Sequence, residues 1–325
     1  MIRRAAACAG MILAAPAFAA DEVRTFTFRY AVTLASVEAG SGPIHIWVPL
    51  AVENPAQRVV AEHIEASIRG SVETEDRYGN RFWHGRVERG NGQPLTVVVE
   101  TTVERRVHRG AATAGSDGLA GAEADGIRRF LGPNERVVVD HPILEPILAE
   151  IRARADSDDK AAIARAIYDW VVDNVEYKKV GSGWGNGDTF WACNERYGNC
   201  TDFHALFISL ARSENIPARF EIGFSVPEER EAGEIAGYHC WVEFYLPETG
   251  WFPIDASEAF RQPEKRELFY GTHPADRIHF STGRDLKLGP DHHDRALNYF
   301  VYPHVEVDGR TWQGPVEQRF SYRED

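Results

Sequence analysis

The sequence of 325 residues predicts an α+β fold, with an antiparallel β-sandwich-like domain at residues 21–110 and a domain of helices and strands at residues 127–325. Hydrophobic residues alternate with mostly polar ones near the start of the first domain, as in strands with one buried face. Residues 111–126 are mainly Ala, Gly, Ser and Asp, which cannot bury enough apolar surface to order themselves and predict a flexible linker. Beyond the linker, the hydrophobic period becomes that of amphipathic helices.

The first 20 residues have the pattern of a secretory signal peptide. Arg3 and Arg4 precede an apolar run, and the triplet AFA at residues 17–19 predicts cleavage near Ala19 or Ala20. The arginine pair leaves twin-arginine export as an alternative route. No later stretch reaches the ~18 uninterrupted apolar residues that a membrane-spanning helix requires. We therefore expect a periplasmic or secreted protein without a membrane span.

The charge of the chain restricts its partners. The formal net charge is -13 at pH 7, from 49 acidic and 36 basic residues. Binding to nucleic acid or to an anionic membrane surface requires clustered cations, so this balance argues against both. A protein or peptide substrate fits the charge and the predicted compartment, and peptides of the cell wall are among the candidates.

The first domain is predicted to consist of strands. Residues 24–34 alternate hydrophobic with mostly polar side chains, and residues 44–48 and 95–103 look extended, the latter with a β-branched run. A turn at residues 78–80 precedes two aromatic residues. Strands joined by turns in this way are typical of an antiparallel sandwich.

The second domain is predicted to begin with helices. Ser157 is positioned to cap a helix whose buried face carries Ile163, Ile167 and Trp170. A second amphipathic helix starts near residue 200. Strands are predicted to follow at residues 220–224, 238–246, 251–256, 298–307 and 316–322.

The segment YGNCTDFH at residues 197–204 places Cys200 after a glycine turn and at the first turn of the second helix. Unpaired backbone N–H groups at a helix N-terminus favour the thiolate over the thiol, and the thiolate is the nucleophilic form. Removal of Cys8 with the signal peptide leaves Cys193, Cys200 and Cys240, so one thiol stays unpaired in a monomer. Cys200 is our candidate nucleophile, and its own N–H group is a candidate donor to an oxyanion.

A nucleophilic thiol needs a base, and the base needs a group that orients it. In the strand YHCWVEFYL at residues 238–246, His239 faces a polar and aromatic side, and Cys240 faces apolar packing. Asp255 follows on the neighbouring strand. A four-residue hairpin loop would place Asp255 opposite Val242, on the wrong face. The triad therefore requires a three- or five-residue loop or a bulge, and we predict that shifted register.

Four segments, in this order, resemble the transglutaminase-like superfamily of papain-like cysteine enzymes, in particular its secreted bacterial branch. The segments are GNCTDFH at 198–204, NIPARFEIGF at 215–224, GYHCWVEFY at 237–245 and GWFPIDASEA at 250–259. The resemblance covers residues 160–288. It implies a papain-like catalytic domain that follows the β domain in the sequence. In that domain, Cys200 would be the nucleophile, His239 the general base and acid, and Asp255 the residue that orients His239.

The resemblance also implies a reaction. Family members form a thioester and pass the acyl group to water or to an amine, so a cysteine hydrolase or acyltransferase is expected. An upstream aromatic residue often completes the oxyanion site, and Trp184 and Trp191 are both candidates. The calcium sites of the animal transglutaminases have no recognisable counterpart, so we expect no cofactor and no metal.

Several alternatives stay open. Cys193 and Cys240 could form a disulfide, whereas pairing of Cys193 with Cys200 would block the nucleophile. A metal site made of Cys193, Cys200, His204 and His239 lacks the tight spacing of zinc ligands and is disfavoured. In a different class of function, the domain would be a protein- or peptide-binding module that retains the fold without activity.

Two further patterns are interpreted as loops. The segment GSGWGNG at residues 181–187 lacks the Lys-Ser/Thr pair of a phosphate-binding loop, so we expect a flexible loop beside the cleft. The segment DHHD at residues 291–294 could hold a metal, but a solvated loop is the preferred interpretation.

Overall fold

The computed structural model describes residues 23–110 and 126–325. The expected signal peptide, and all but the last residue of the expected linker, lie outside these ranges. No helix within them is both long and apolar enough to span a membrane. The strands of the first range are β1 Val23–Leu34, β2 Ile44–Pro49, β3 Gln57–Ala66, β4 Gly70–Thr74, β5 Arg81–Val87, β6 Leu95–Arg106 and β7 His108–Arg109.

Helices and further strands follow in the second range. The α-helices are α1 Glu145–Ala155, α2 Lys160–Asn174, α3 Thr189–Glu195, α4 Cys200–Ser213 and α5 Ala256–Arg261. The strands are β8 Glu176–Tyr177, β9 Tyr197–Gly198, β10 Ala218–Ser225, β11 Ala232–Ile235, β12 His239–Leu246, β13 Gly250–Ile254, β14 Thr272–His273, β15 Arg277–Thr282, β16 His304–Val307, β17 Arg310–Thr311 and β18 Val316–Glu324.

Two five-stranded antiparallel sheets are built mainly from the N-terminal strands. Their orders are β11-β18-β1-β6-β3 and β17-β16-β2-β5-β4. Alternate side chains of β6 and every residue of β2 are buried, and both strands contribute to a hydrophobic core that continues into the helices. The predicted fold class, mixed helix and strand with antiparallel sheets, is confirmed.

The C-terminal strands belong to the same two sheets. β18 pairs with β1, and β16 pairs with β2. We expected these strands to accompany the domain at residues 127–325, and we expected the first of them to span residues 298–307, but it covers only His304–Val307. Pairing between the two ends of a chain depends on its path through space, which hydrophobic periodicity does not reveal.

Helix α2 begins later than its predicted cap. Asp159, rather than Ser157, accepts hydrogen bonds from the N–H groups of residues 161 and 162. Ser157 instead accepts a hydrogen bond from the N–H group of Asp159. The predicted inner face is confirmed, since Ile163, Ile167 and Trp170 are all buried.

Helix α4 packs against helices and strands of the second described range. It contacts α2, α3, α5 and strands β10 and β12. The sequence predicts one buried face, but every residue from Cys200 to Arg212 is buried. The nucleophile candidate therefore lies at the end of a helix that is enclosed on all sides.

The hairpin of β12 and β13 has the shifted register that the sequence predicts. Leu246 pairs with Gly250, so three residues form the loop, and Val242 pairs with Ile254. Asp255 comes one residue later, at the N-cap of α5, and is not opposite Val242. These strands lie in a four-stranded antiparallel sheet of order β13-β12-β10-β15, which we call the catalytic sheet.

A close backbone approach in the catalytic sheet yields a test of the fold. Gly223 pairs with His239, and a Cβ atom there would lie 1.8 Å from the Ile278 carbonyl oxygen, next to a register shift between β10 and β15. We predict that Gly223→Ala lowers the free energy of unfolding by about 1–3 kcal/mol or more, because the strands must separate. Gly132→Ala, whose Cβ meets nothing within 4 Å, should change it much less. Urea unfolding measures both, and equal effects would contradict the prediction.

Candidate active site

Cys200 is the first residue of α4, and its surroundings are set by the helix cap. The Asn199 side chain accepts a hydrogen bond from the Thr201 N–H group at 2.9 Å, and the Asp202 carboxylate accepts one from the Asn199 N–H group at 2.9 Å. This capping box holds the first turn of the helix. Only glycine fits before it, since a Cβ on Gly198 would lie 2.1 Å from Asp202 Oδ2. Cys200 thus lies at the positive end of the helix dipole.

His239 and Asp255 form a close buried pair. His239 Nε2 lies 2.7 Å from Asp255 Oδ2, and the Asp255 side chain is fully buried. The other carboxylate oxygen accepts hydrogen bonds from the Ser257 hydroxyl and the Glu258 N–H group, both at 3.0 Å. These contacts fix the carboxylate, and the carboxylate in turn orients the imidazole with its second nitrogen available to another group.

Cys200 interacts with His239, which is paired with Asp255, so the structure brings the three predicted residues into one site. Burial alone would raise the pKa of Cys200, but its hydrogen bonds with Cys240 and His239, together with the charge of His239, hold that pKa well below the usual value. Burial likewise opposes the charge on His239, yet Asp255 and Cys200 raise the pKa of His239 to about 10. The favoured state near neutral pH is a thiolate beside an imidazolium.

Cys240 is not simply a packing residue, contrary to our expectation. It is fully buried and interacts with Cys200, and its Sγ lies 3.4 Å from His204 Nδ1 and 3.8 Å from Thr201 Oγ1. The sulfur therefore faces the nucleophile. Cys193, Cys200 and Cys240 are all free thiols, so neither disulfide that we considered is present.

His204 lies one helical turn after Cys200 and faces the same site. Its Nε2 lies 3.6 Å from Asp255 Oδ1, and the side chain is fully buried. Burial lowers the pKa of His204 to about 4, so this second imidazole is neutral near pH 7. Its position near the thiol could be suspected from the four-residue spacing to Cys200, but its contacts with Asp255 and Cys240 could not.

The glycine-rich segment is tied to the first turn of α4. The Asp202 carboxylate accepts hydrogen bonds from the N–H groups of Gly185 at 2.6 Å and Gly187 at 3.1 Å. Both glycines have positive φ angles, which non-glycine residues rarely adopt. Burial raises the pKa of Asp202 to about 6, against three backbone hydrogen bonds that favour the ionised form. The expected loop is therefore anchored to the helix by a residue of the YGNCTDFH segment.

Tyr238 completes this side of the site. Its hydroxyl lies 2.9 Å from Asn199 Nδ2 and 2.8 Å from Thr201 Oγ1. Tyr299 donates a hydrogen bond to the Gly185 carbonyl at 3.4 Å. Cys200 is only 2% exposed, so a substrate must displace part of these surroundings to reach the sulfur.

The two tryptophans that we considered as oxyanion donors are bonded elsewhere. The indole N–H of Trp184 donates to the Gly181 carbonyl at 3.2 Å, and that of Trp191 donates to the Tyr197 carbonyl at 2.9 Å. Either indole would have to give up its present carbonyl partner before it could donate to an oxyanion. The backbone N–H group of Cys200, in the first turn of α4 where N–H groups have no partner within the helix, stays the candidate donor.

The contact between Cys200 and Cys240 predicts a change in reactivity. A hydrogen bond to a charged group contributes about 1.5–3 kcal/mol, and one pKa unit corresponds to about 1.4 kcal/mol. We expect Cys240→Ala to raise the pH midpoint for alkylation of Cys200 by about one unit or more. The measurement is the iodoacetamide rate at Cys200 as a function of pH, resolved by peptide mass spectrometry.

Cys193→Ala is the matched control, because Cys193 is a buried cysteine whose pKa burial raises to about 11 and which Cys200 does not influence. Its replacement should leave the midpoint unchanged. An equal midpoint in wild type and Cys240→Ala would show that the second sulfur does not stabilise the thiolate.

Comparisons with known proteins concern the same part of the chain. Residues 147–256 match the family model of the transglutaminase-like superfamily. An uncharacterized protein of Haemophilus influenzae is 24% identical over 338 residues, covering 93% of this chain and 90% of that protein. The uncharacterized protein YebA of Bacillus subtilis is 35% identical over 77 residues, covering 21% of this chain and 10% of YebA.

Among solved structures, the chain is similar to a Cytophaga hutchinsonii protein that is described as a candidate cysteine protease. The TM-score is 0.60 at 19% identity, over 92% of this chain and 90% of that one, which establishes likeness of fold. The matched family segment contains Cys200, His239 and Asp255. Residues 147–256 therefore carry a domain of the transglutaminase-like type.

Proposed function

We propose that the protein is an exported cysteine enzyme that attacks a carboxamide or peptide carbonyl with Cys200. The observation that carries this proposal is the chain of contacts from the Cys200 thiolate through His239 to the Asp255 carboxylate, closed by the 2.7 Å contact between His239 and Asp255. Such a series of nucleophile, base and orienting acid is the recurrent arrangement for acyl transfer. The predicted signal peptide supports export to the periplasm or beyond.

In the proposed reaction, the Cys200 sulfur bonds to the carbonyl carbon, and the carbonyl oxygen takes the negative charge. The backbone N–H group of Cys200 is placed to stabilise that charge. The imidazolium of His239 then gives its proton to the leaving amine as the C–N bond breaks, which leaves a thioester. Neutral His239 next removes a proton from water or a second amine, which attacks the thioester and returns Cys200 to the thiolate.

Hydrolysis is the preferred second step. Transfer to an amine requires a site that binds the amine and excludes water. We identify no such amine-binding site among the described residues. Amidase or peptidase activity on proteins or peptides, including cell-wall peptides, therefore fits better than crosslinking. No cofactor enters this scheme.

One observation favours a different class of function. Cys200 is only 2% exposed, as would suit a binding module that keeps the fold without activity. The intact series of three residues, with its lowered thiol pKa, favours the enzyme. A binding module would have no need to stabilise a thiolate.

We predict that the wild-type protein releases ammonia or a free amine from some members of a peptide-amide library and that Cys200→Ala abolishes this release. Asp255→Asn should lower kcat by about 10²–10⁴-fold, because the imidazole loses its orientation and charge partner. Ammonia release with and without an added primary amine distinguishes hydrolysis from transfer, since transfer incorporates the amine into the peptide.

Cys193→Ala controls for loss of a buried thiol and should keep wild-type activity. Release of product by Cys200→Ala at the wild-type rate would overturn the proposed role of Cys200. An unreactive Cys200 at neutral pH, together with peptide binding but no turnover across the library, would favour the binding module.

A further inference from the structure

A second cluster of polar side chains lies on the opposite face of the catalytic sheet from α4. Phe244 of β12 packs against Phe207 of α4, so its neighbour Glu243 points away from the helix. There, Glu243 meets His108 of β7 and His273 of β14, two residues that pair across those short strands. One ligand atom from each of the three side chains lies within 4.8 Å of the others.

His273 has the hydrogen bonding of a metal ligand. Its side chain is fully buried, and its Nε2–H group donates to the Ile254 carbonyl at 3.1 Å. That bond assigns the ring proton to Nε2 and leaves a lone pair on Nδ1. Nδ1 is buried and has no hydrogen-bond partner among the described residues. Histidines that bind metals commonly donate their other N–H group to a carbonyl in this way.

The other two ligand candidates face this lone pair. His108 Nδ1 lies 2.8 Å from Glu243 Oε1, and the second Glu243 oxygen accepts a hydrogen bond from Arg219. Glu243 is 2% exposed, but the His108 side chain is 24% exposed, which gives an ion and a water molecule access from one side. An ion bound by His108 Nδ1 would replace the proton that this nitrogen shares with Glu243, and the ring would carry its hydrogen on Nε2 instead.

Two other histidine clusters lack an unpaired ring nitrogen that could accept a metal ion. His292 is buried, contrary to the solvated loop that we expected, but its Nδ1 accepts a hydrogen bond from the Leu288 N–H group at 3.0 Å. Nε2 must then carry the proton and has no lone pair for a metal. His45 Nδ1 and His84 Nε2 lie 2.9 Å apart and satisfy each other. The cluster of His108, Glu243 and His273 is distinguished from both by its unpaired acceptor.

We propose that His108, Glu243 and His273 bind a divalent transition metal ion, with Zn²⁺ as the preferred ion and water as a fourth ligand on the His108 side. Two imidazoles and one carboxylate with an open position are a recurrent zinc ligand set. The positive charges of Arg219 and Arg277 lie near this cluster and disfavour the binding of a cation. Ions that bond strongly to imidazole nitrogen are therefore favoured over Ca²⁺ and Mg²⁺, which prefer oxygen ligands.

The bound ion would position the catalytic pair rather than take part in the reaction. His273 holds the carbonyl of Ile254, the residue before Asp255, and Glu243 lies on the strand that begins with His239. An ion linking Glu243 to His273 would fix the spacing between the two chain segments that carry His239 and Asp255. Its binding is independent of the proposed reaction and can be measured without a substrate.

The test uses untagged full-length protein that has been stripped of metal with a chelator and dialysed. We expect Co²⁺ to give the visible absorption of a low-coordinate nitrogen and oxygen site at one equivalent, Zn²⁺ to displace it, and Zn²⁺ to raise the melting temperature. His108→Ala should weaken Zn²⁺ binding by at least about tenfold. The matched control is His63→Ala, because His63 also lies beside a glutamate, Glu65 at 3.2 Å, but is 69% exposed and has no third candidate ligand among the described residues.

His108→Gln separates binding from stability, because glutamine can still donate to Glu243 but lacks the imidazole. We expect this variant to fold, by circular dichroism, and to lose the rise in melting temperature with Zn²⁺. The proposal is overturned if wild type binds no Zn²⁺ at one equivalent, or if both His108 variants bind it as tightly as wild type and His63→Ala. Loss of Zn²⁺ binding would leave the catalytic proposal intact, since that proposal is tested through Cys200→Ala.

Discussion

The carboxylate of Asp255 is fully buried, and the rest of the site depends on how that charge is compensated. Removing an ion from water costs about several kcal/mol, which burial near opposite charge and hydrogen-bond donors must offset. His239 at 2.7 Å, Arg277 at 3.4 Å and the first turn of α5 supply that compensation. They hold the pKa of Asp255 well below its usual value despite burial. The fixed anion then stabilises the imidazolium, and the imidazolium stabilises the Cys200 thiolate.

The compensation depends on the path of the backbone. The three-residue loop after Leu246 brings Asp255 past the end of β13, where it also caps α5. A cap residue has a fixed backbone and a side chain that already accepts hydrogen bonds, so the carboxylate has little freedom to leave His239. In the same sheet, Gly223 of β10 pairs with His239 and permits β15 to approach β10 closely. Local turn chemistry and close strand packing thus determine the geometry of the three-residue series.

The sequence predicted the local features of this site well because each has a local physical cause. The glycine before Cys200 and the start of an amphipathic helix indicated where α4 begins, and the opposite faces of a strand determined which hairpin register could work. The cap of α2 shows the limit of such reasoning, since Ser157 and Asp159 are both good caps and the bonded one depends on where the chain turns. The neighbours of Cys240 and the destination of the C-terminal strands depend on contacts between distant segments, which periodicity does not encode.

Asp202 links the glycine-rich segment to the helix turn that carries Cys200. Asp202 caps the helix that stabilises the thiolate, and its carboxylate also binds Gly185 and Gly187 of the glycine-rich segment. Opening that segment breaks hydrogen bonds to a buried carboxylate, so a substrate must replace them or leave Asp202 with fewer donors. Because Asp202 keeps its bond to Asn199 within the helix cap, the segment can move without dismantling the first turn. The turn that carries Cys200 and the glycine-rich segment are therefore joined through one carboxylate. Under the function that we propose, a peptide substrate would offer N–H groups of its own to that carboxylate.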